Sequence, residues 1–392
     1  MRNLLGCCAA LLLGLSGCRA STKPNPPGQL PDGAPTAVKP GPLEEVHAFH
    51  GPMPTGVTVS REGRVFVNYP RWGDAVQSTI AELRDGKEMP YPSAGLNTDT
   101  PSGNPDQLLS VQSVVVDPRD RLWALDTGSV KLGPIAGQEW PKLVGIDLKT
   151  DQVFKVIRFP PEVVHKNTYL NDVRFDLRRG GDGLAFITDS GAGGLIVVDL
   201  ASGRSWRKLH GHESVMADPA FSASLEGQPV MIRPPGQEPK PFRVQSDGIA
   251  LSADGSRLFY CPLSSRALYS VSVDALADEK LPDAEVLKTL RKEERQFASD
   301  GLESDAQGRV YLTDWEHNAV HVRDAGGSLG TLVSDPRLWW PDTLALSADG
   351  YLYITANQLH RQAQFHGGKD LRQKPYHLFR VKVDATPVAL TR

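Results

Sequence analysis

Cysteine is nearly absent from this chain. Its 392 residues include four, and Cys7, Cys8 and Cys18 fall within the first 18 positions. With those three confined to the N-terminus, Cys261 stands alone in the remainder and no intrachain disulfide is available there, so the fold rests on its core. An excess of one charge is missing too. Lys and Arg number 43 against 46 Asp and Glu, a net charge of -3, which gives no reason to expect nucleic acid as a partner. No apolar run beyond the N-terminus reaches the roughly 20 residues that a membrane-spanning helix needs. A Ser-His-Asp order, a phosphate-binding loop and a dinucleotide fingerprint are all lacking. What is present in quantity is Gly (37) and Pro (31), which suits many turns and short strands more than long helices.

The first residues read as an address. "MRNLLGCCAALLLGLSGC" has a basic start, an apolar run and small residues before a cysteine. Leu15-Ser16-Gly17-Cys18 resembles the lipobox of bacterial lipoproteins, which implies cleavage before Cys18 and lipidation of Cys18 itself. Residues 1–17 are then a signal peptide and residues 18–43 a Pro-rich tether, with seven prolines between Pro24 and Pro42. The expectation is a bacterial lipoprotein of the cell envelope, on its periplasmic or extracellular face, touching the membrane through the lipid anchor only.

Two stretches raise a different possibility. "RLWALDTGSV" and "LAFITDSGAGG" each carry an apolar strand into Asp-Thr-Gly or Asp-Ser-Gly, the pattern with which an aspartic protease pairs two carboxyls. The two belong to a longer series. Six segments, beginning at Thr55, Gln112, Asn171, Ser246, Ser299 and Pro341, share a short apolar strand, a tight turn and a second apolar strand. After most of them come two further strands, such as "KLVGIDL" and "QVFKVIRF", or "ALYSVSV" and "AEVLKTL". Four antiparallel strands repeated six times predict an all-β, six-bladed β-propeller over residues 44–392. The sixth repeat has a third strand near its end and little chain for a fourth, so the segment at residues 44–50 is expected to complete the last blade. Asp126, Asp189 and Asp314 occupy one position in three repeats, which removes the protease reading.

The stretches "RLWALDTG", "PKLVGIDLKTDQVFKVIRFP", "LNDVRFD", "AFITDSGAGGLIVVDLASGRSWR" and "DPRLWWPDTLALSADGYLYITANQLHR" resemble the yellow and major royal jelly protein family, in a form found in bacteria. The resemblance implies a six-bladed propeller, in agreement with the repeat count. It implies less about function, since the family includes pigmentation proteins, secreted food proteins and salivary binders of biogenic amines.

In a propeller the start of each inner strand and the end of the second strand lie on one face. That face gathers Asp172, Asp247, Asp300 and Asp342 near the channel, with Asn171 beside them and Asp126, Asp189 and Asp314 farther out. The outer three are expected to cap turns. The inner ones are candidates for a ligand or a hard cation such as calcium, with Asp247 and Asp300 as principal carboxylates because the glycine after each lets a ligand or backbone approach closely. Insertions at residues 211–243 and 356–375, and Trp340, are expected over this acidic mouth, where aromatic faces suit an organic cation. His210 and His212 are weak metal candidates, His317, His360 and His366 polar loop residues, and Cys261 a buried small residue. The expected function is capture of a small cationic or aromatic ligand by a monomeric, lipid-anchored propeller. The alternative is a metal-dependent lactonase or related hydrolase, because "SDGI" and "SDGL" look like strand starts of gluconolactonase-type propellers. There the first inner strand carries Glu where this chain has Thr55-Gly56. Catalytic residues, and whether the protein is an enzyme, stay open at this point.

Overall fold

The computed structural model describes residues 41–97, 104, 106–129, 141–293 and 295–392. The signal sequence, Cys18 and nearly all of the tether lie outside the described residues. Among the described residues are six four-stranded antiparallel sheets and two short two-stranded hairpins. The inner strands are Gly56–Val59, Val111–Val116, Leu170–Asp176, Ser246–Leu251, Leu302–Ser304 and Pro341–Leu346, for blades 1 to 6 in order. Each inner strand touches those of both neighbouring blades, and the first touches the sixth, so the ring closes. The expected propeller is the fold.

Closure happens as the end of the sequence suggests. Strand Glu44–Phe49 pairs antiparallel with Tyr376–Lys382, matching Glu44 with Arg380 and Phe49 with Tyr376. It becomes the outer strand of blade 6, whose other members are Tyr351–Ala356 and the inner strand. Phe49 is fully buried there, in an apolar cluster shared with Trp340 and Tyr376. The turn glycines behave as hairpin geometry demands, with φ of +68° at Gly255 and +82° at Gly350.

One element differs from expectation. "AEVLKTL" is not the outer strand of blade 4: Asp283–Leu287 is a short helix, and Arg291–Glu293 supplies the outer strand. Pro282 as the residue before the helix, with Asp283 and Glu285 in its first turn, favours a helix start over an extended strand.

After Lys382 the chain crosses the lower face. The Ala306 N–H donates to the Thr386 carbonyl at 2.9 Å, and the Leu177 N–H to the Leu390 carbonyl at 2.8 Å. The C-terminal residues thus run from blade 5 to blade 3 across the bottom of the channel. The N-terminal strand also starts at this lower end, since Glu44 pairs low on its partner strand.

Candidate functional site

The upper end of the channel is built from irregularities in the inner strands. Pairing with the second strand slips between Leu170 and Val173, between Ser246 and Ile249, and between Pro341 and Leu344. Each bulge frees the aspartate within it, Asp172, Asp247 or Asp342, from the regular in-and-out alternation. The backbone left over is held by threonines of the second strands. Thr188 Oγ1 accepts from the Asp172 N–H at 3.3 Å, and Thr355 Oγ1 from the Thr343 N–H at 2.9 Å. In blade 5 Thr313 Oγ1 accepts from the N–H groups of Asp300 at 3.0 Å and Gly301 at 3.1 Å. These threonines were not singled out in the sequence, although "FITDSG", "YLTDWE" and "YITANQ" repeat them.

The aspartates then divide sharply. Asp126 accepts backbone hydrogens from Leu109, Ser110 and Gly128 at 2.7 to 3.1 Å. Asp189 accepts from Tyr169, Gly191 and Ala192 and from the Arg207 guanidinium. Asp314 accepts from Glu316, His317 and His321. The outer three are therefore structural caps within their own blades, as expected. The inner ones have far fewer donors. Asp300 accepts from the Trp340 indole N–H at 2.7 Å, Asp342 from the Asn357 amide at 2.6 Å and Thr343, and Asp247 from the Asn171 amide. Burial pushes all three carboxyls above the usual carboxylate range, and the charge of Asp300 pushes Asp247 and Asp342 further. Asp172 stands apart, because Arg174 Nη1 donates to both of its oxygens at 2.9 Å.

Asp247, Asp300, Asp342 and Asn171 line a cavity of about 410 Å³ at the upper mouth, together with Trp72, Tyr169, Ile232, Phe242 and Leu359. Asp172 and Trp340 stand behind its wall. Trp340 is fully buried with φ of +52°, stacked on Trp315 at a centroid distance of 4.4 Å, and holds Asp300 through its indole. Trp72, Tyr169 and Gln112, which no repeat or motif marks, form a chain of hydrogen bonds along the cavity wall at 2.7 and 2.9 Å.

The two insertions do meet over this mouth. The Arg233 N–H donates to the Gln364 carbonyl at 2.7 Å and its side chain to Phe365 at 3.0 Å. Arg361 pairs with Glu226 and lies over the Trp339 ring at 3.8 Å. Phe242 and Phe365 meet edge to face at 5.3 Å. His360 lies in a short 3-10 turn of the second insertion and is buried there: burial holds its imidazole down at about 4, and it stacks against Trp340. His317 is tied to Asp314, and His366 to the His360 carbonyl.

The glycines after Asp247 and Asp300 admit close backbone approach, one of the two uses expected of them: a Cβ at Gly248 would meet the Asp300 carbonyl oxygen at 2.1 Å, and one at Gly301 the Asp342 carbonyl oxygen at 2.3 Å. His210 and His212 do not converge, since His210 bonds the Gly193 carbonyl and packs on His165 while His212 caps a 3-10 turn. Cys261 is fully buried, as expected. Among the described residues no three His, Cys, Asp or Glu side chains are arranged to hold a metal ion.

A six-bladed propeller with an aspartate-lined, roofed channel mouth is the class that these observations define. The model of the major royal jelly protein family matches residues 109–386, and the chain belongs to that family. The protein yellow of Drosophila yakuba is 28% identical over 232 residues, which cover 55% of this chain and 40% of that relative. The chain thus spans well under half the length of the curated relatives it matches. A luciferin-regenerating enzyme superposes with a TM-score of 0.54 at 12% identity, over 90% of this chain and 100% of that one. A putative gluconolactonase does so with a TM-score of 0.51 at 13% identity, over 88% and 99%. At such identities the likeness is one of fold.

Proposed function

We propose that this propeller captures a small organic cation with an aromatic or apolar body at its upper mouth. The observation that carries the reading is the convergence of Asp247, Asp300 and Asp342 on the floor of a cavity with largely apolar walls. Buried carboxyls that raise one another's pKa are costly to ionise together, and a bound cation offsets that cost. The cationic side chains on the cavity wall do not serve this purpose. Arg243 donates to the carbonyls of Pro219, Phe221 and Phe242, and Lys240 is exposed. Calorimetric titration with a panel of biogenic amines tests the reading. Saturable binding that weakens in Asp300→Ala supports it; no saturation with any amine removes it.

A metal-dependent hydrolase, with Asp247 and Asp300 as ligands to calcium or another divalent cation, has less support. No set of three candidate ligands is assembled among the described residues. In blade 1 an acidic residue in place of Gly56 would displace the buried Asn68 side chain, because a Cβ there would meet Asn68 Oδ1 at 2.0 Å. Lactone hydrolysis abolished by a chelator and restored by calcium would revive this alternative. The lipobox at Cys18 and the Pro-rich tether support a monomer held at the cell envelope by lipid, with its small-molecule ligand as its partner. Because the strand after the tether starts at the lower end, the mouth would face away from the anchor.

A further inference from the structure

Below the acidic mouth the channel is divided by a side chain. Arg174 holds Asp172 with Nη1 and reaches the Leu302 carbonyl with Nη2 at 2.7 Å. A second cavity, of about 540 Å³, includes Arg174 in its wall and extends to the lower face, where Arg61, Asp120 and residues Thr386 to Ala389 form its rim.

Glu303 belongs to the wall of this chamber, on the inner strand of blade 5. One of its oxygens accepts from the Ser304 N–H at 2.7 Å. The other lies 4.0 Å from the Arg174 guanidinium, beyond hydrogen-bond reach, and has no other partner among the described residues. Although Glu303 sits inside the channel, its side chain keeps 20% of its surface exposed. That exposure belongs to the chamber. One guanidinium thus faces two acids: Arg174 bonds Asp172 directly and approaches Glu303 only to 4.0 Å, so the trio carries an excess negative charge when both acids are ionised. Burial raises its carboxyl above the usual range, against the opposing pull of the Arg174 guanidinium, so a further cation would favour the ionised form. The surrounding wall is mostly aliphatic, with Val57, Val114, Leu251 and Leu344 and a single aromatic ring, Phe175.

We propose that the lower chamber is a second binding site, for a small aliphatic amine whose ammonium meets Glu303 and whose alkyl body lies against these valines and leucines. The site is independent of the upper mouth. A half-buried acid with a displaced pKa in a cavity is the kind of group that function tends to use.

The test is calorimetric titration of n-hexylamine, with 1-hexanol as the uncharged control, into Asp300→Asn, in which the upper mouth is weakened, and into Asp300→Asn/Glu303→Gln. The single variant should bind hexylamine saturably and hexanol much more weakly. Adding Glu303→Gln should cost at least about tenfold in affinity, the size of one charge-assisted contact. If the double variant fails to fold, as judged by melting temperature, Val116→Phe in the Asp300→Asn background narrows the chamber without touching the acid and should weaken hexylamine in the same way. Absence of saturable binding by Asp300→Asn, equal binding of hexanol, or unchanged affinity once Glu303→Gln or Val116→Phe is added would each overturn the proposal.

Discussion

Asp300 and Asp126 are both buried, and their surroundings give them opposite duties. Asp126 accepts three backbone hydrogens that would otherwise be unpaired, so its worth is to the fold. Asp300 accepts from one indole and faces a cavity. Asp247→Asn and Asp300→Asn should therefore weaken amine binding by about 1–3 kcal/mol at little cost in melting temperature, whereas Asp126→Asn should lower stability by a similar amount and spare affinity. Calorimetry and thermal melts on the three variants check this; loss of binding in Asp126→Asn alone would reverse the assignment. The raised carboxyls also set a pH dependence. A carboxyl whose folded pKa lies above its unfolded value of about 4 favours the folded state at low pH, and that contribution is lost as pH rises through the raised value. Asp342→Asn, which mimics the protonated form and can still accept from Asn357, should thus melt at a higher temperature than wild type at pH 8 and show no such gain at pH 4. Inner and outer aspartates were distinguishable in the sequence because they hold fixed places in each repeat. The restraint of Asp172 by Arg174 was not, because a side chain bridging the channel leaves no periodic mark.

The hairpins of the blades were legible because each pairs an apolar alternation with a turn whose glycine has positive φ. The bulges were not. A single extra residue in "LNDV" or "SDGI" leaves the hydrophobic pattern intact while re-aiming one side chain, and here that side chain is the acid. The helix at Asp283–Leu287 escaped notice for a related reason, since a short apolar run suits either element and only Pro282 and the acidic first turn decide. The insertions were expected over the mouth, but their mutual clasp depends on residues 135 positions apart, Glu226 and Arg361. That clasp has a measurable consequence. Because Glu226 is half exposed, Glu226→Gln should leave stability almost unchanged. By loosening the roof it should speed amine release about three- to tenfold, with a smaller effect on association. Stopped-flow displacement measures it; an unchanged release rate would mean that the roof is held by Arg233 and the Phe242–Phe365 contact instead.

At the level of the whole ring, six repeats fixed the blade count, and the deficit of one strand at the end fixed where the first strand goes. The path of the C-terminal residues across the lower face was not legible, because its anchors are backbone carbonyls that any sequence offers. Removing residues 41–50 takes away the outer strand of blade 6 and the fully buried Phe49. Such a chain should lose at least about 3–5 kcal/mol, the scale of deleting a buried phenylalanine, and expose the edge of Tyr376–Lys382 to intermolecular pairing. Thermal melts and light scattering against the full chain check this; an equally stable monomer would show that the strand is dispensable. The same strand has a temporal meaning. Glu44 meets Arg380 across 336 positions of chain. At about 5–20 residues per second, a ribosome needs on the order of 20 to 70 seconds between making the two. The first strand to be born is therefore the last to find its partner, and throughout that interval the ring has an open seam that only the arrival of its own tail can close.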